Sequence, residues 1–380
     1  MTDPLDQDLL HDVGQLFVIG FDGPRKSCPP AVQEALSAGR LSGVILFRRN
    51  VEDLDQLLSL IGDIYSAADP CPELPFVAVD QEGGKVVRVT EPLTPLPAMR
   101  RVGAAADLRE VGRVSEVIAT EIGALGFNLN FAPVLDVDTN PDNPVIGDRS
   151  FSRDPERVAR CGAGFLMGHF TAGVVPCGKH FPGHGDTDVD SHLGLPRLDH
   201  DLDRLSSVEL FPFERAIAAG VPMLMTAHIL LPALDDRHPA TLSRPILTGL
   251  LREKLGFDGV IVTDCLEMKA VAEHYDIEEM VALGLHAGVD LFLICHTEEK
   301  WQRAIDFLYR RAVEDPAIRA RVQESAARVR RVKSELLSHL PRPWTPPAHL
   351  DQVLGCQEHH DTVAPYLGDE SIADDPTETT

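Results

Sequence analysis

Short apolar runs rich in Val, Ile and Phe recur along the chain, and segments with helical spacing separate them. The runs are Gln15–Phe21 (QLFVIGF), Gly43–Phe47 (GVILF), Phe76–Asp80 (FVAVD), Asn128–Val137 (NLNFAPVLDV), Val174–Cys177, Pro222–Ala227 (PMLMTA), Gly259–Thr263 (GVIVT) and Val289–Ile294. Between them, Val111, Val114, Ile118, Ile122 and Leu125 fall at three- and four-residue spacing, and Gly126 is placed to end that helix. Further helices are expected over Glu156–Thr171, Leu210–Ile217, Pro245–Leu255 and Ile277–Ala287, with one or two closing helices over Trp301–Leu337. About eight such alternations predict parallel βα units. They close into a barrel or wind into an open sheet. An open-sheet nucleotide binder usually carries a glycine-rich phosphate turn after its first strand. Here that turn is FDGPRKS, which has neither GxGxxG nor GxxxxGK[ST]. Polar residues instead follow several strands: Asp80, Asp136, Lys179 and His180, His228, and Asp264. Residues converging from many strand ends are what the C-terminal face of a barrel supplies. The expected fold is therefore α/β, a single-domain (β/α)8 TIM-type barrel over residues 1–340, with 341–380 a Pro-rich, acidic extension that is partly disordered.

At 44% hydrophobic residues the chain can bury a substantial core. A net charge of −24 argues against nucleic acid or an anionic membrane as partner, since phosphate binding needs a basic face. Part of that charge is local. After Arg342 there is no Lys or Arg, while Asp351, Glu358, Asp361, Asp369, Glu370, Asp374, Asp375 and Glu378 are all acidic. No apolar stretch approaches the roughly 18–20 residues of a membrane span. The first Lys or Arg is Arg25, so no secretory n-region is evident. Seven scattered cysteines without a CxxC pair fit a reducing compartment. These features lead to the expectation of a cytoplasmic protein, a monomer or weak homo-oligomer.

The densest chemistry lies in GKHFPGHGDTDVDSH, Gly178–His192, which holds Lys179, three histidines and three aspartates. Its Pro and Gly residues oppose a continuous helix, so it is expected to be a loop. A metal reading is weak. Pro182 and Gly183 separate His180 from His184, and the EF-hand-like start Asp186, Asp188, Asp190 lacks the required Gly and Glu further on. An acid–base reading fits better. Asp190 and His192 are two apart, so in an extended segment they share a side, and a carboxylate beside an imidazole raises its pKa towards that of a proton donor. Lys179 and Arg149 add fixed positive charge that suits hydroxyl binding. Asp264 ends an apolar strand and stands as either a nucleophile or, with Glu267, a helix cap. Asp80 is similarly either a site carboxylate or a turn former. Spacing does not choose between these.

Taken together, KHFPGHGDTDVDSH at Lys179–His192, DQEGG at Asp80–Gly84, NPVIGDRSF at Asn143–Phe151 and FDGVIVTDCLEM at Phe257–Met268 resemble glycoside hydrolase family 3. Within it they are most similar to the bacterial single-domain β-N-acetylglucosaminidases of the NagZ type. The resemblance implies a barrel, a retaining two-step mechanism and no cofactor or metal. It implies Asp264 as the nucleophile, His192 paired with Asp190 as acid and then base, and Asp80, Arg88, Arg149, Lys179 and His180 as ligands of the terminal sugar. The implied substrate is a small carbohydrate with a non-reducing terminal GlcNAc, such as a peptidoglycan recycling fragment. Relatives often carry a second acid after the nucleophile, where this chain has Cys265. A phosphorylase or a β-glucosidase of the same family, and a non-catalytic sugar-binding barrel, are the alternatives.

Overall fold

The computed structural model describes residues 4–187 and 194–368. Eight strands, β1 (Phe17–Ile19), β2 (Gly43–Ile45), β3 (Phe76–Val79), β4 (Leu129–Asn130), β5 (Val175–Phe181), β6 (Met223–Thr226), β7 (Val260–Cys265) and β8 (Leu291–Ile294), pair in sequence order. All neighbours are parallel, and β8 returns to β1 through Phe17↔Phe292 to Ile19↔Ile294, so the sheet closes into the expected barrel.

Strand side chains alternate between two environments, as the twofold repeat of a strand requires. Val18, Ile45, Phe76, Ala78, Leu129, Val175, Met223, Val260 and Leu291 form one cluster inside the barrel. Phe17, Val44, Val77, Leu224, Ile261 and Phe292 join the larger cluster beneath the helices. Both faces are buried, which is why the strands read as unbroken apolar runs rather than alternating ones.

Two strand boundaries differ from the sequence reading. The regular β4 strand ends at Asn130, although Phe131 still donates to the Val79 carbonyl at 2.9 Å and Leu135 to the Lys179 carbonyl at 2.6 Å. Conversely, β5 runs on to Phe181, so Lys179 and His180 sit on a strand rather than in a loop. Lys179 donates to the Pro133 carbonyl at 3.0 Å, and the Phe181 carbonyl accepts from Ala227 at 2.7 Å. Partners on both sides keep this stretch extended until Pro182.

The helix Pro316–Leu336 closes the N-terminal end of the barrel, with Val329 and Val332 in the inner cluster. Lys333 enters with them. Its Nζ donates to Gln15 Oε1 at 2.9 Å and the Ser42 carbonyl at 2.8 Å, and lies 4.8 Å from the centre of the Phe76 ring. Burial lowers its pKa from 10.5 to about 7. The unfolded chain therefore binds the extra proton between these values, so stability rises with pH across that window. Relative to Lys333→Met, the native chain should gain thermal stability from pH 7 to pH 10. A pH-independent difference in melting temperature would contradict this.

The extension from Pro341, expected to be partly disordered, packs against the barrel over its described part, which ends at Gly368; residues 369–380 lie outside the described residues. Trp344 stacks on Tyr65 with ring centres 5.3 Å apart. It lies over Gly126, whose φ of 101° ends the helix Leu108–Leu125, and a side chain at Gly126 would strike the Trp344 ring. His359 Nδ1 is 2.8 Å from Glu121 Oε1, and Leu354, Val363 and Tyr366 are buried. These anchors are too irregularly spaced to show as helical or strand periodicity. Among the described residues, no helix is long and apolar enough to cross a membrane.

Candidate active site

The DQEGG segment folds back on itself at the end of β3. Gln81 holds it there: its Nε2 donates to the Val89 carbonyl at 2.8 Å, and its Oε1 accepts from the backbone of Arg88 at 2.9 Å. Gly83 and Gly84 take φ values of 110° and 59°, a turn that side chains would resist. Arg88 is thereby returned to within 3.7 Å of Asp80.

Lys179 comes up from β5 between two carboxylates, 2.7 Å from Asp80 Oδ1 and 2.6 Å from Glu82 Oε1. Glu82 also receives a two-pronged contact from Arg149, whose Nε and Nη2 each donate at 2.8 Å. Arg149 rides on the turn Gly147–Arg149. Asn143 braces that turn by accepting from the Val145 and Ile146 amides and donating to the His184 carbonyl. Burial would raise the Glu82 pKa, but Arg149 and Lys179 hold it well below the usual carboxylate range. Lys179 is likewise raised: burial opposes its charge, and Asp80 and Glu82 outweigh that. Glu82, Arg149 and Lys179 are therefore all ionised near neutrality.

His180 is fixed from below by Asp136, which is wholly buried. Asp136 Oδ2 accepts from His180 Nδ1 at 2.7 Å, and Oδ1 accepts from the His184 amide at 2.7 Å. Against burial, the charge and hydrogen bond of His180 pull the Asp136 pKa down. His184 is lowered to about 4, by burial first and then by His180, so it is neutral at physiological pH. Asp136→Asn should cost about 1.5–3 kcal/mol of unfolding free energy, the range for a hydrogen bond to a charged group. Urea unfolding at pH 7 measures it, and a loss below about 0.5 kcal/mol would contradict the anchoring role.

Asp264, half-buried near the end of β7, accepts a 2.7 Å hydrogen bond from the Cys265 amide. The next helix, Lys269–Ala272, has Met268 at its N-cap and no side-chain cap. Glu267 turns instead to the His296 amide at 2.6 Å. The capping reading of Asp264 therefore fails, and its side chain lines a pocket shared with Asp80, Arg88, Arg149, Lys179 and His180. His228 supports the floor beneath: its Nε2 donates to the Cys265 carbonyl at 2.9 Å, and its Nδ1 meets Thr241 Oγ1 at 2.8 Å.

Six of the eight candidate residues thus meet in one pocket. Asp190 and His192 lie outside the described residues. Sequence reasoning saw Asp136 and His228 only as polar residues at strand ends and His184 only as a weak metal ligand, gave none of them a role in the site, and passed over Glu82. Glu82 stood in view two residues after Asp80, but only the fold shows it bridging Lys179 and Arg149. Further along, Asp186, His200 and Glu209 place ligand-type atoms within 4.8 Å of one another. Arg204 lies among them, 3.0 Å from Glu209 and 3.9 Å from Asp186, and supplies positive charge there.

Residues 9–332 match the glycosyl hydrolase family 3 N terminal domain. The chain belongs to glycoside hydrolase family 3. Among relatives, a beta-hexosaminidase A of Pseudoalteromonas piscicida is 42% identical over 285 residues, covering 70% of this chain and 48% of that protein. The chain thus spans about half the length of that relative. A beta-hexosaminidase of Neisseria gonorrhoeae is 41% identical over 67% of this chain and 72% of its own length. Among solved structures, a family 3 beta-N-acetylglucosaminidase from Paenibacillus sp. str. FPU-7 superposes with a TM-score of 0.84 at 37% identity, covering 93% of this chain and 67% of that one. NagZ from Neisseria gonorrhoeae in complex with N-trifluoroacetyl-D-glucosamine gives 0.74 at 32% identity, covering 93% and 97%.

Proposed function

We propose that the chain is a retaining exo-β-N-acetylhexosaminidase that removes non-reducing terminal GlcNAc, with peptidoglycan fragments as its natural substrates. The observation that carries this reading is the Asp264 carboxylate at the mouth of β7, in one pocket with Asp80, Arg88, Arg149, Lys179 and His180. A pocket lined by fixed charges and hydrogen-bonding groups suits a polyol, whose hydroxyls both donate and accept. Two N–H donors of Lys179 go to Asp80 and Glu82, and the third is available to a sugar hydroxyl. Asp136 sets His180 so that its other ring nitrogen serves the sugar.

Asp264 then attacks the anomeric carbon as the glycosidic bond breaks, giving a glycosyl ester. His192, oriented by Asp190, gives its proton to the departing oxygen and takes one back from the water that opens the ester. The imidazole replaces the second carboxylate of the usual retaining pair. The N-acetyl preference is supported by the names of the relatives and by the N-trifluoroacetyl-D-glucosamine bound to NagZ of Neisseria gonorrhoeae.

Release of 4-nitrophenol from its β-GlcNAc and β-glucoside conjugates, with and without phosphate, tests the reading. Cleavage confined to the β-GlcNAc conjugate, with free GlcNAc in both buffers, is expected. GlcNAc-1-phosphate as product would make the enzyme a phosphorylase, preferential glucoside cleavage would make it a glucosidase, and silence from a folded protein would leave a sugar-binding barrel.

A further inference from the structure

All seven cysteines are free thiols, and two of them meet in the wall of the active-site pocket. Cys265 lies on β7 opposite Leu293 of β8, two residues before Cys295. Both side chains line the pocket that holds Asp264. Cys265 packs against the inner barrel cluster to which Cys295 belongs, so the two side chains stand on neighbouring strands in one wall of the pocket. His296 lines the same pocket as Cys265. Cys265 is half-buried, whereas Cys295 is 1% exposed behind it.

The pair is chemically unequal. The hydrogen bond from Cys295 lowers the Cys265 pKa, burial opposes this, and the His296 contact adds to the lowering. Cys295 is pushed up, by Cys265 first and then by burial, with Glu267 and Asp264 adding negative charge nearby. Of the two thiols, Cys265 is therefore the one whose ionisation is favoured. Elsewhere, burial leads in raising Cys28, Cys71, Cys161 and Cys177, which keeps those thiols protonated. A partly exposed thiol of lowered pKa with a second thiol beside it is the arrangement of a peroxide-sensitive cysteine and its resolving partner.

We propose that Cys265 and Cys295 form an oxidant-reactive dithiol in the active-site wall, which a small peroxide converts to a disulfide that disables Asp264. The thiolate of Cys265 attacks one peroxide oxygen, the O–O bond breaks, and hydroxide leaves to take up a proton. The sulfenic acid so formed is attacked by the Cys295 sulfur. The S–S bond forms, the S–O bond breaks, and a second water carries away the Cys295 proton. Two thiols lose two electrons in total and hydrogen peroxide gains them. The link to catalysis is the backbone of Cys265, since its amide holds Asp264 Oδ1 at 2.7 Å and its carbonyl receives His228 at 2.9 Å. Drawing Cys265 towards Cys295 displaces both contacts. This consequence rests on Asp264 acting as the nucleophile, whereas formation of the bridge does not.

The test treats the full chain with hydrogen peroxide, blocks remaining thiols with an alkylating agent and maps the digested peptides by mass, with and without dithiothreitol. The expected result is a cross-linked peptide joining Cys265 to Cys295, two hydrogens lighter than its parts. Loss of β-GlcNAc cleavage should track the cross-linked fraction, and both should reverse with dithiothreitol. In Cys295→Ser the cross-link should be absent, and prolonged peroxide should carry Cys265 to a sulfinic acid that dithiothreitol does not restore. Recovery of both residues as alkylated thiols from inactivated protein would overturn the proposal, as would oxidation of Cys265 in the native chain without the bridge. If the reduced protein cleaves no glycoside, the functional reading fails, and the peptide map still decides the dithiol.

Discussion

Asp264→Ala is expected to lower kcat on 4-nitrophenyl β-GlcNAc by on the order of 10⁴- to 10⁶-fold, since removing a covalent nucleophile can cost about 10⁶ in kcat. The pocket is otherwise assembled without this residue. Lys179, Glu82 and Arg149 bond to one another, and His180 is held by Asp136, so KM should change far less than kcat. A small anionic nucleophile such as azide should restore part of the turnover by entering the space the carboxylate left. Its product would be a glycosyl azide of inverted configuration, because one displacement replaces two. Full activity in the alanine variant would move the nucleophile elsewhere. A fall in kcat without azide rescue would point to a distorted pocket.

The second large effect is structural. Glu82→Gln keeps the shape of the side chain but leaves Lys179 and Arg149 with one anion fewer in a buried setting, where both are at most 4% exposed. Removing one partner of a buried ion pair typically costs about 3–5 kcal/mol. That is the loss expected by urea unfolding at pH 7. The pH dependence follows from the direction of the shift. Since the folded Glu82 pKa is depressed, its contribution is fully present above the unfolded value, near 4.3, and declines as pH falls below it. The difference between native and variant chains should therefore narrow below about pH 4. A difference that stays constant down to pH 3 would mean that the carboxylate charge is not what holds the cluster.

The barrel was legible in the sequence because its strands are buried on both faces and read as continuous apolar runs at regular intervals. Strand-end residues could be named from the same pattern, and Asp264, Lys179, His180 and Asp80 do share a pocket. Partnership was less visible. Asp136 looked like one more polar residue after a strand until the pairing of the β4 end with β5 set it beneath His180. Cys265 stood out beside Asp264, but Cys295 did not, because only the adjacency of β7 and β8 brings residues thirty apart together. The extension beyond Pro341 hid its packing for another reason. Its anchors, Trp344, Leu354, Val363 and Tyr366, follow no period, and the acidic residues around them dominate its composition. The reading of Asp264 as a helix cap failed on geometry alone, since Glu267 turns to β8 and the following helix starts at Lys269.

The most direct test of the central claim is the site of covalent capture. A 5-fluoro GlcNAc donor with a good leaving group slows the second step more than the first and lets the glycosyl-enzyme accumulate. Mass mapping should place one sugar on Asp264, within Val260–Met268, with label and inactivation rising together. Label on another carboxylate, or continued turnover with no covalent species, would contradict Asp264 as the nucleophile.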